Sequence, residues 1–263
     1  MDLEKVTRKV CQLSEEVAGF IKSAINQVSS DDIVTKDLNS LVTYVDRQAE
    51  QRLVTGLKQI LPEAGFITEE ETIEQDENAH LKWIIDPLDG TTNYLHGLPF
   101  YSVSVALRKG PDYLSGVICE VDRGHLFYAW KGGGAWEDQQ RIQVSPTPLL
   151  SDALLATGFP YARFDMVEKY LNLFRDLFPA TRGIRRIGSA ALDLAYTAKG
   201  SFDAFFEYGL NEWDIAAGIC VVREAGGQVT NFEGTGGKVS GSTILASNGK
   251  LHEAMLTHIR NHF

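Results

Sequence analysis

Three cysteines in 263 residues, Cys11, Cys119 and Cys220, are too few and too widely spaced for a disulfide framework or a zinc site. A reducing compartment is therefore expected. Long apolar runs are also missing: none approaches the ~18 residues that cross a bilayer. The acidic N-terminus, Met1-Asp-Leu-Glu4, lacks the apolar stretch of a signal peptide. Together these absences predict a cytoplasmic protein with no membrane partner. Basic clusters are scarce as well. The 25 Lys and Arg residues are outnumbered by 35 Asp and Glu, for a formal charge of −10. No nucleic-acid partner is expected, because phosphate backbones are met by clustered Lys and Arg. His96, His125, His252, His258 and His262 show no ligand spacing. Gly132-Gly-Gly134 is followed by no Lys-Ser/Thr pair, which excludes a P-loop and leaves a hairpin loop.

What is present suits a globular fold. The chain is 44% apolar and 23% charged. Its length can bury a core without staples, in one large domain or two packed halves. From residue 2 to 28, Leu3, Val6, Val10, Leu13, Val17, Phe20, Ala24 and Ile25 recur at steps of three and four. That spacing predicts a long amphipathic helix, ended by Ser29-Ser-Asp-Asp32, with Lys36 in the loop beyond. A second helix carries Ala49, Leu53, Leu57 and Ile60 and closes at Pro62 and Gly65, with Asp46 at its N-cap. Alternating apolar residues predict a strand over 101–107, and 115–119 with 126–130 a hairpin around Asp122-Arg-Gly124. Pro146 and Pro148 mark the break between a first half, 1–147, and a second, 148–263. The second half opens with a strand at 153–156. A helix at 166–178 follows, with Tyr170, Leu171, Phe174 and Phe178 turned inward. Next come a strand-to-helix turn at 184–191, a strand at 201–207, a helix beginning at Asp214 and stopping at Gly226-Gly227, a strand at 244–247 and a C-terminal helix.

The stretch Trp83-Ile-Ile-Asp-Pro-Leu-Asp-Gly-Thr-Thr-Asn-Tyr94 carries the chemistry. Three apolar residues read as a buried strand, which Pro87 stops at Asp86 because it cannot donate to a ladder. Gly90 permits a tight turn, and Thr91 or Thr92 can cap a short helix. Asp86 and Asp89 thus share a stiff corner, with an unpaired Leu88 carbonyl between them. Hard oxygen donors on a rigid turn suit Mg²⁺. The N–H groups of Gly90 and Thr91 would face a bound anion. Upstream, residues 63–77 hold seven acids, most of them in a solvated loop. Phe66 and Ile67 lead into Glu69-Glu70-Glu71, so a strand could carry one carboxylate inward: Glu69 first, Glu70 as the alternative. The Gly188-Ser189-Ala190 turn offers free N–H groups at a helix start. Arg185 and Arg186 beside it could bind a phosphate or serve structure. Asp214 alone reads as a helix cap.

The string Asp86-Pro-Leu-Asp-Gly-Thr-Thr-Asn-Tyr94 resembles the signature of the inositol monophosphatase family. Trp213-Asp-Ile-Ala-Ala-Gly218 with Glu224-Ala-Gly-Gly227 resembles the second signature, about 120 residues on. The likeness covers the whole chain. It is poorest near Lys36, which is about one residue out of step, and at Ser40, where the family shows Asp. The resemblance implies a mixed α/β fold, a layered αβαβα sandwich of two tightly packed halves, usually a homodimer. It implies lithium-sensitive, Mg²⁺-dependent hydrolysis of a small phosphorylated polyol or sugar, with two or three ions. Glu69, Asp86 and the Leu88 carbonyl would hold one ion, and Asp86, Asp89 and Asp214 a second. Thr91 would orient the attacking water with Glu69. Leu88, Asp89, Gly90, Thr91 and Asp214 would also contact substrate, Gly188, Ser189 and Ala190 would line the pocket, and Glu207 would take a substrate hydroxyl. Inositol 1-phosphate is the first expectation. Fructose 1,6-bisphosphate and histidinol phosphate are alternatives. 3′-Phosphoadenosine 5′-phosphate is disfavoured, because Thr92-Asn93 stands where nucleotide-directed relatives carry Lys-Glu. Some bacterial relatives instead act as regulatory partners of the transcription machinery.

Overall fold

The computed structural model describes residues 1–25, 34–37, 40–76, 78–160, 164–236 and 243–263, with 34–37 and 40–42 as backbone only. The polar stretch 29–32 lies outside the described residues. Apolar periodicity builds the first helix, α1 (Leu3–Ala24), which buries Val10, Val17 and Ile21 on one face. Strands β1 (Val34–Asp37) and β2 (Ser40–Val42) pair antiparallel. Lys36 therefore sits on a strand, not in the expected loop, because β2 supplies a pairing partner that local composition does not announce. Helix α2 (Tyr44–Ile60) starts at Thr43, whose hydroxyl accepts from Val45 N at 3.0 Å. Asp46 is three residues inside and completes a capping box by accepting from Thr43 N at 2.8 Å, so it is not the N-cap itself.

Seven strands then form the first sheet in sequence order: β3 (Gly65–Thr68), β4 (Leu81–Asp89), β5 (Ser102–Lys109), β6 (Asp112–Glu120), β7 (Leu126–Trp130), β8 (Gly134–Glu137) and β9 (Gln140–Ile142). A short helix, α3 (Thr91–Leu95), leaves the end of β4. β3 runs parallel to β4, and every other neighbouring pair is antiparallel. The second sheet uses β10 (Leu154–Thr157), β11 (Gly183–Arg185), β12 (Ala204–Tyr208), β13 (Gln228–Thr230) and β14 (Thr243–Ser247), in the order β11-β10-β12-β14-β13. Its helices are α4 (Val167–Ala180), α5 (Ala190–Ala198), α6 (Glu212–Glu224) and α7 (His252–Arg260). The chain changes sheet between β9 and β10, around Pro146 and Pro148.

Three apolar cores hold five layers together, the middle one spanning both faces of the α5 and α6 layer. One lies between α1, α2 and the first sheet, and takes Trp83, Ile85, Val103, Val105 and Val117. The middle core takes Ile84, Ala106 and Ile118 from the opposite face, packs them on α5 and α6, and reaches Phe205 and Ile244 of the second sheet. The third lies under α4 and α7, with Phe206 and Leu245. The alternation of Trp83 and Ile85 against Ile84, and of Phe205 against Phe206, is the two-residue period of a strand buried on both faces. The result is the expected mixed α/β sandwich, αβαβα. Gly116 on β6 has no side chain because the Ala217 backbone of α6 lies against it; a Cβ there would stand 3.0 Å from Ala217 Cα. That close approach seats α6 on the sheet that carries Asp86.

On α4 the inward face is Tyr170, Leu173, Phe174 and Leu177. Leu171 and Phe178, expected inward, are exposed. The stripe at 170, 173, 174 and 177 is centred one position away from the one they would need, and packing on β10 and β12 chooses between the two. His252 opens α7 fully buried, with Ser247 Oγ 2.8 Å from Nδ1 and Thr230 Oγ1 3.0 Å from Nε2. Burial pushes its pKa down to about 4. A histidine depressed in the folded state binds fewer protons folded than unfolded below its ordinary value of about 6.5. Its contribution is intact above that pH and is lost as pH falls toward 4. Wild-type protein should thus lose melting temperature across this window more steeply than His252→Gln, followed by thermal unfolding. Equal slopes would remove His252 from the acid response.

Candidate active site

Two ladders bring the acidic residues together. Parallel pairing puts Thr68 beside Ile85, so the next residues, Glu69 and Asp86, emerge side by side. Glu69 N donates to Ile85 O at 3.2 Å. β4 does not stop at Asp86 as expected. It continues to Asp89 through a register shift, in which Asp86 faces Ser104 and Asp89 faces Ser102. The extra residue is a β-bulge, which accommodates Pro87 without a ladder N–H and re-aims both carboxylates. Leu88 N donates to Asp86 Oδ1 at 3.0 Å.

Gly90 follows with φ +95°, at the N-cap position of α3. No side chain caps this helix, so the expected Thr91 or Thr92 cap is absent. Thr91 Oγ1 instead stands 3.0 Å from both Asp46 Oδ1 and the Leu88 carbonyl. The Leu88 carbonyl is therefore not unpaired, although it keeps a second lone pair. One hydroxyl proton can serve only one of the two acceptors at a time.

The second sheet and its helices supply the other wall. Asp89 Oδ2 accepts from Ser189 Oγ at 2.5 Å and from Ala191 N at 2.7 Å. The free donors at the start of α5 are thus turned to Asp89. Ser189 also caps that helix, accepting from Leu192 N at 3.3 Å. Asn93 Nδ2 donates to Ile187 O at 2.8 Å and to Phe100 O at 2.7 Å, which ties α3 to the same turn. Asp214 is not the first cap of α6. Asn211 holds that position, and Asp214 Oδ2 accepts Asn211 N at 2.6 Å, leaving its other oxygen uncommitted to the cap.

Parallel pairing of β10 with β12 sets Thr157 beside Phe206, and hence Gly158 beside Glu207. A Cβ at Gly158 would overlap the Glu207 carboxylate. The triple glycine turns out to hold a carboxylate: Gly132 N and Gly134 N donate to Glu224 at 3.0 and 2.9 Å.

These acids share one field. Burial holds Asp86 well above the usual carboxylate range, and Glu69, Asp89 and Asp214 add to the effect. Of the Glu69 and Glu70 alternatives, Glu69 is the one whose side chain raises Asp86, by its charge and by a hydrogen bond. Burial pushes Asp89 up to about 6, against the Ser189, Ala191, Ala190 and Arg186 contributions, and Asp214 up to about 7. Glu207 is raised by burial, then by Asp214 and Asp89. Arg186, not Arg185, is the cation that offsets Asp89 and Glu207; Arg185 Nη1 donates to Ile184 O at 3.2 Å.

Among the described residues no three His, Cys, Asp or Glu side chains converge closely enough to define a metal position by geometry. The fit rests on donor chemistry. Every main influence on Asp86 pushes its pKa up, and such a buried set of oxygen donors is relieved by a hard divalent cation.

Sequence reasoning missed three members of this neighbourhood. Asp46 read as a cap and reaches Thr91 only through tertiary packing. Asp193 hid inside the apolar helix Ala190–Ala198; it is buried, and its Oδ1 has no hydrogen-bond partner among the described residues. Gly158 carried no local signal. Lys36 is placed as backbone alone.

A model of the inositol monophosphatase family matches residues 2–263. A Pseudomonas aeruginosa protein named Nus factor SuhB is 42% identical over 247 residues, covering 92% of this chain and 91% of its own. A Rhizobium meliloti inositol-1-monophosphatase is 41% identical over 215 residues, covering 81% of this chain and 80% of its own. The solved inositol monophosphatase of Anabaena superposes with a TM-score of 0.89 at 31% identity, covering 100% of this chain and 98% of that one.

Proposed function

The chain belongs to the inositol monophosphatase family, and from that premise we propose that it is a magnesium-dependent phosphate monoester hydrolase acting on a small phosphorylated polyol, inositol 1-phosphate foremost. What supports this reading is the donor chemistry around Asp86: a buried carboxylate that feels the charges of Glu69, Asp89 and Asp214, on a bulged strand end that runs directly into the Gly90-Thr91 helix start. The family is magnesium-dependent. Glu69, Asp86, the Leu88 carbonyl, Asp89 and Asp214 would hold the metal, which when bound lowers the pKa of a water and offsets charge on the phosphate.

The chain's own residues do the rest. With the metal bound, the Thr91 proton would go to Asp46 and not to the Leu88 carbonyl, which frees that carbonyl for the ion and leaves the Thr91 lone pairs to accept from a water and orient it with Glu69. The N–H groups of Gly90 and Thr91 take phosphate oxygens. Gly188, Ser189 and Ala190 wall the pocket, and Glu207, kept against Gly158, accepts a polyol hydroxyl. A homodimer is part of the proposal: Phe159 and Phe178 are exposed, both rest on Phe174, and a second copy would cover them.

Phosphate release is to be followed with and without Mg²⁺ on inositol 1-phosphate, fructose 1,6-bisphosphate, histidinol phosphate and 3′-phosphoadenosine 5′-phosphate. Preference for the first, lost without metal and slowed by lithium, is the expected result. Preference for another ester changes only the substrate. Silence on all four from folded, magnesium-loaded protein would overturn the hydrolase. A second reading rests on the relative named Nus factor SuhB: the chain would serve the transcription machinery as a binding partner. That reading requires the protein to associate with transcription complexes even when Asp89→Asn has removed turnover.

A further inference from the structure

Glu50 lies on α2, one turn beyond Asp46, and is fully buried. Its carboxylate accepts from Thr68 Oγ1 at 3.0 Å and from Glu70 N, Thr72 N and Thr72 Oγ1 at 2.7 Å each. All four donors come from the segment 68–72 that carries Glu69. The turn is not one the segment would adopt unaided. Glu71 has φ +51°, a left-handed conformation that disfavours any residue with a Cβ. That reversal aims the N–H groups on either side of Glu71, those of Glu70 and Thr72, at one point, and an anion held by such a pair stabilises the bend. Here the anion is Glu50. On the other side of Glu69 the strand is secured separately, by Thr68 N donating to Gln75 Oε1 at 2.7 Å and by Glu69 N on Ile85 O.

We propose that Glu50 is a positioning residue for Glu69: by clamping Thr68–Thr72 it keeps the Glu69 carboxylate turned to Asp86, ready for the metal. This rests on the reading of Glu69 as a magnesium ligand. A purely structural anchor would lower stability alone, whereas a positioning residue changes metal affinity in folded protein. Partners that orient a ligating side chain typically contribute about 10- to 100-fold to metal affinity.

Glu50→Gln keeps the shape but sets an amide NH₂ against backbone N–H donors. Its Mg²⁺ affinity, measured by calorimetry without substrate, should weaken about 10- to 100-fold. Amide exchange at Glu70 and Thr72 should accelerate, and kcat should largely recover at saturating Mg²⁺. Added to Glu69→Gln, the substitution should weaken binding no further, because both act on one ligand. Wild-type affinity in folded Glu50→Gln, with Glu69→Gln impaired, would overturn the inference and leave the proposed function standing. Wild-type affinity in Glu69→Gln would overturn the ligand assignment itself. If Glu50→Gln does not fold, Thr72→Val deletes one of the four donors from outside the helix. It should shift affinity and exchange in the same direction, and wild-type values for both would equally overturn the inference.

Discussion

Replacing Asp89 by Asn should lower phosphate release at least about a thousandfold, about 4 kcal/mol of transition-state stabilisation, in a protein that still folds. Asn can keep both bonds now made to Asp89 Oδ2, from Ser189 Oγ and Ala191 N, through its own carbonyl oxygen. What it loses is charge and a second oxygen, in whose place stands an NH₂ that cannot ligate a cation. The link between β4 and α5 survives while the metal site does not. A second readout separates this from unfolding. Burial raises the folded pKa of Asp89 to about 6, so in metal-free wild type its favourable contribution is present below the unfolded value of about 3.9 and is lost as pH rises through 6. Metal-free Asp89→Asn should therefore melt higher than wild type at pH 8, with the gap closing toward pH 4. Wild-type turnover from the folded variant would remove Asp89 from the site.

Gly90→Ala should cost both stability and activity. Gly90 has φ +95°, and a Cβ would stand 2.8 Å from the Phe100 carbonyl, 3.2 Å from the Gly188 carbonyl and 3.3 Å from Tyr101 Cα. All three are backbone atoms, two just before β5 and one in the turn before α5, which cannot swing aside as a side chain would. A left-handed alanine costs about 1–2 kcal/mol, and overpacking about 1–3 more. At roughly 2–4 °C per kcal/mol for a chain of this size, the melting temperature should fall about 4–20 °C. Relief of the contact would move the Gly90 and Thr91 N–H groups, so activity should fall beyond what instability explains. Gly97→Ala is the control. Gly97 has φ +68° and nothing within 4 Å of its Cβ position, so it should show the left-handed cost alone. Equal melting temperatures for the two variants would show that the Phe100 and Gly188 carbonyls do not constrain the corner.

Much of the architecture was legible because it is written in local periods. Valine and leucine at three- and four-residue steps made α1, and alternation made β5 to β7. Prolines 146 and 148 stand where the chain changes sheet. Reading failed where a local rule met a tertiary override. Pro87 should have ended β4, but a bulge absorbed it. Leu171 and Phe178 fitted a helical stripe that the sheet did not choose. Thr91 was read as a cap and bonded across 45 positions to Asp46.

By itself the sequence determined the family likeness, the element types and the carboxylates in play, because each is set by neighbours a few positions apart. Only the tertiary structure decided that Glu69 hydrogen-bonds Asp86, that α5 donates to Asp89, and that Asp46 and Glu50 brace the site from α2. Those contacts depend on strand register and on how closely two layers approach. Both are fixed by packing the whole core, and no short stretch of the chain contains that information.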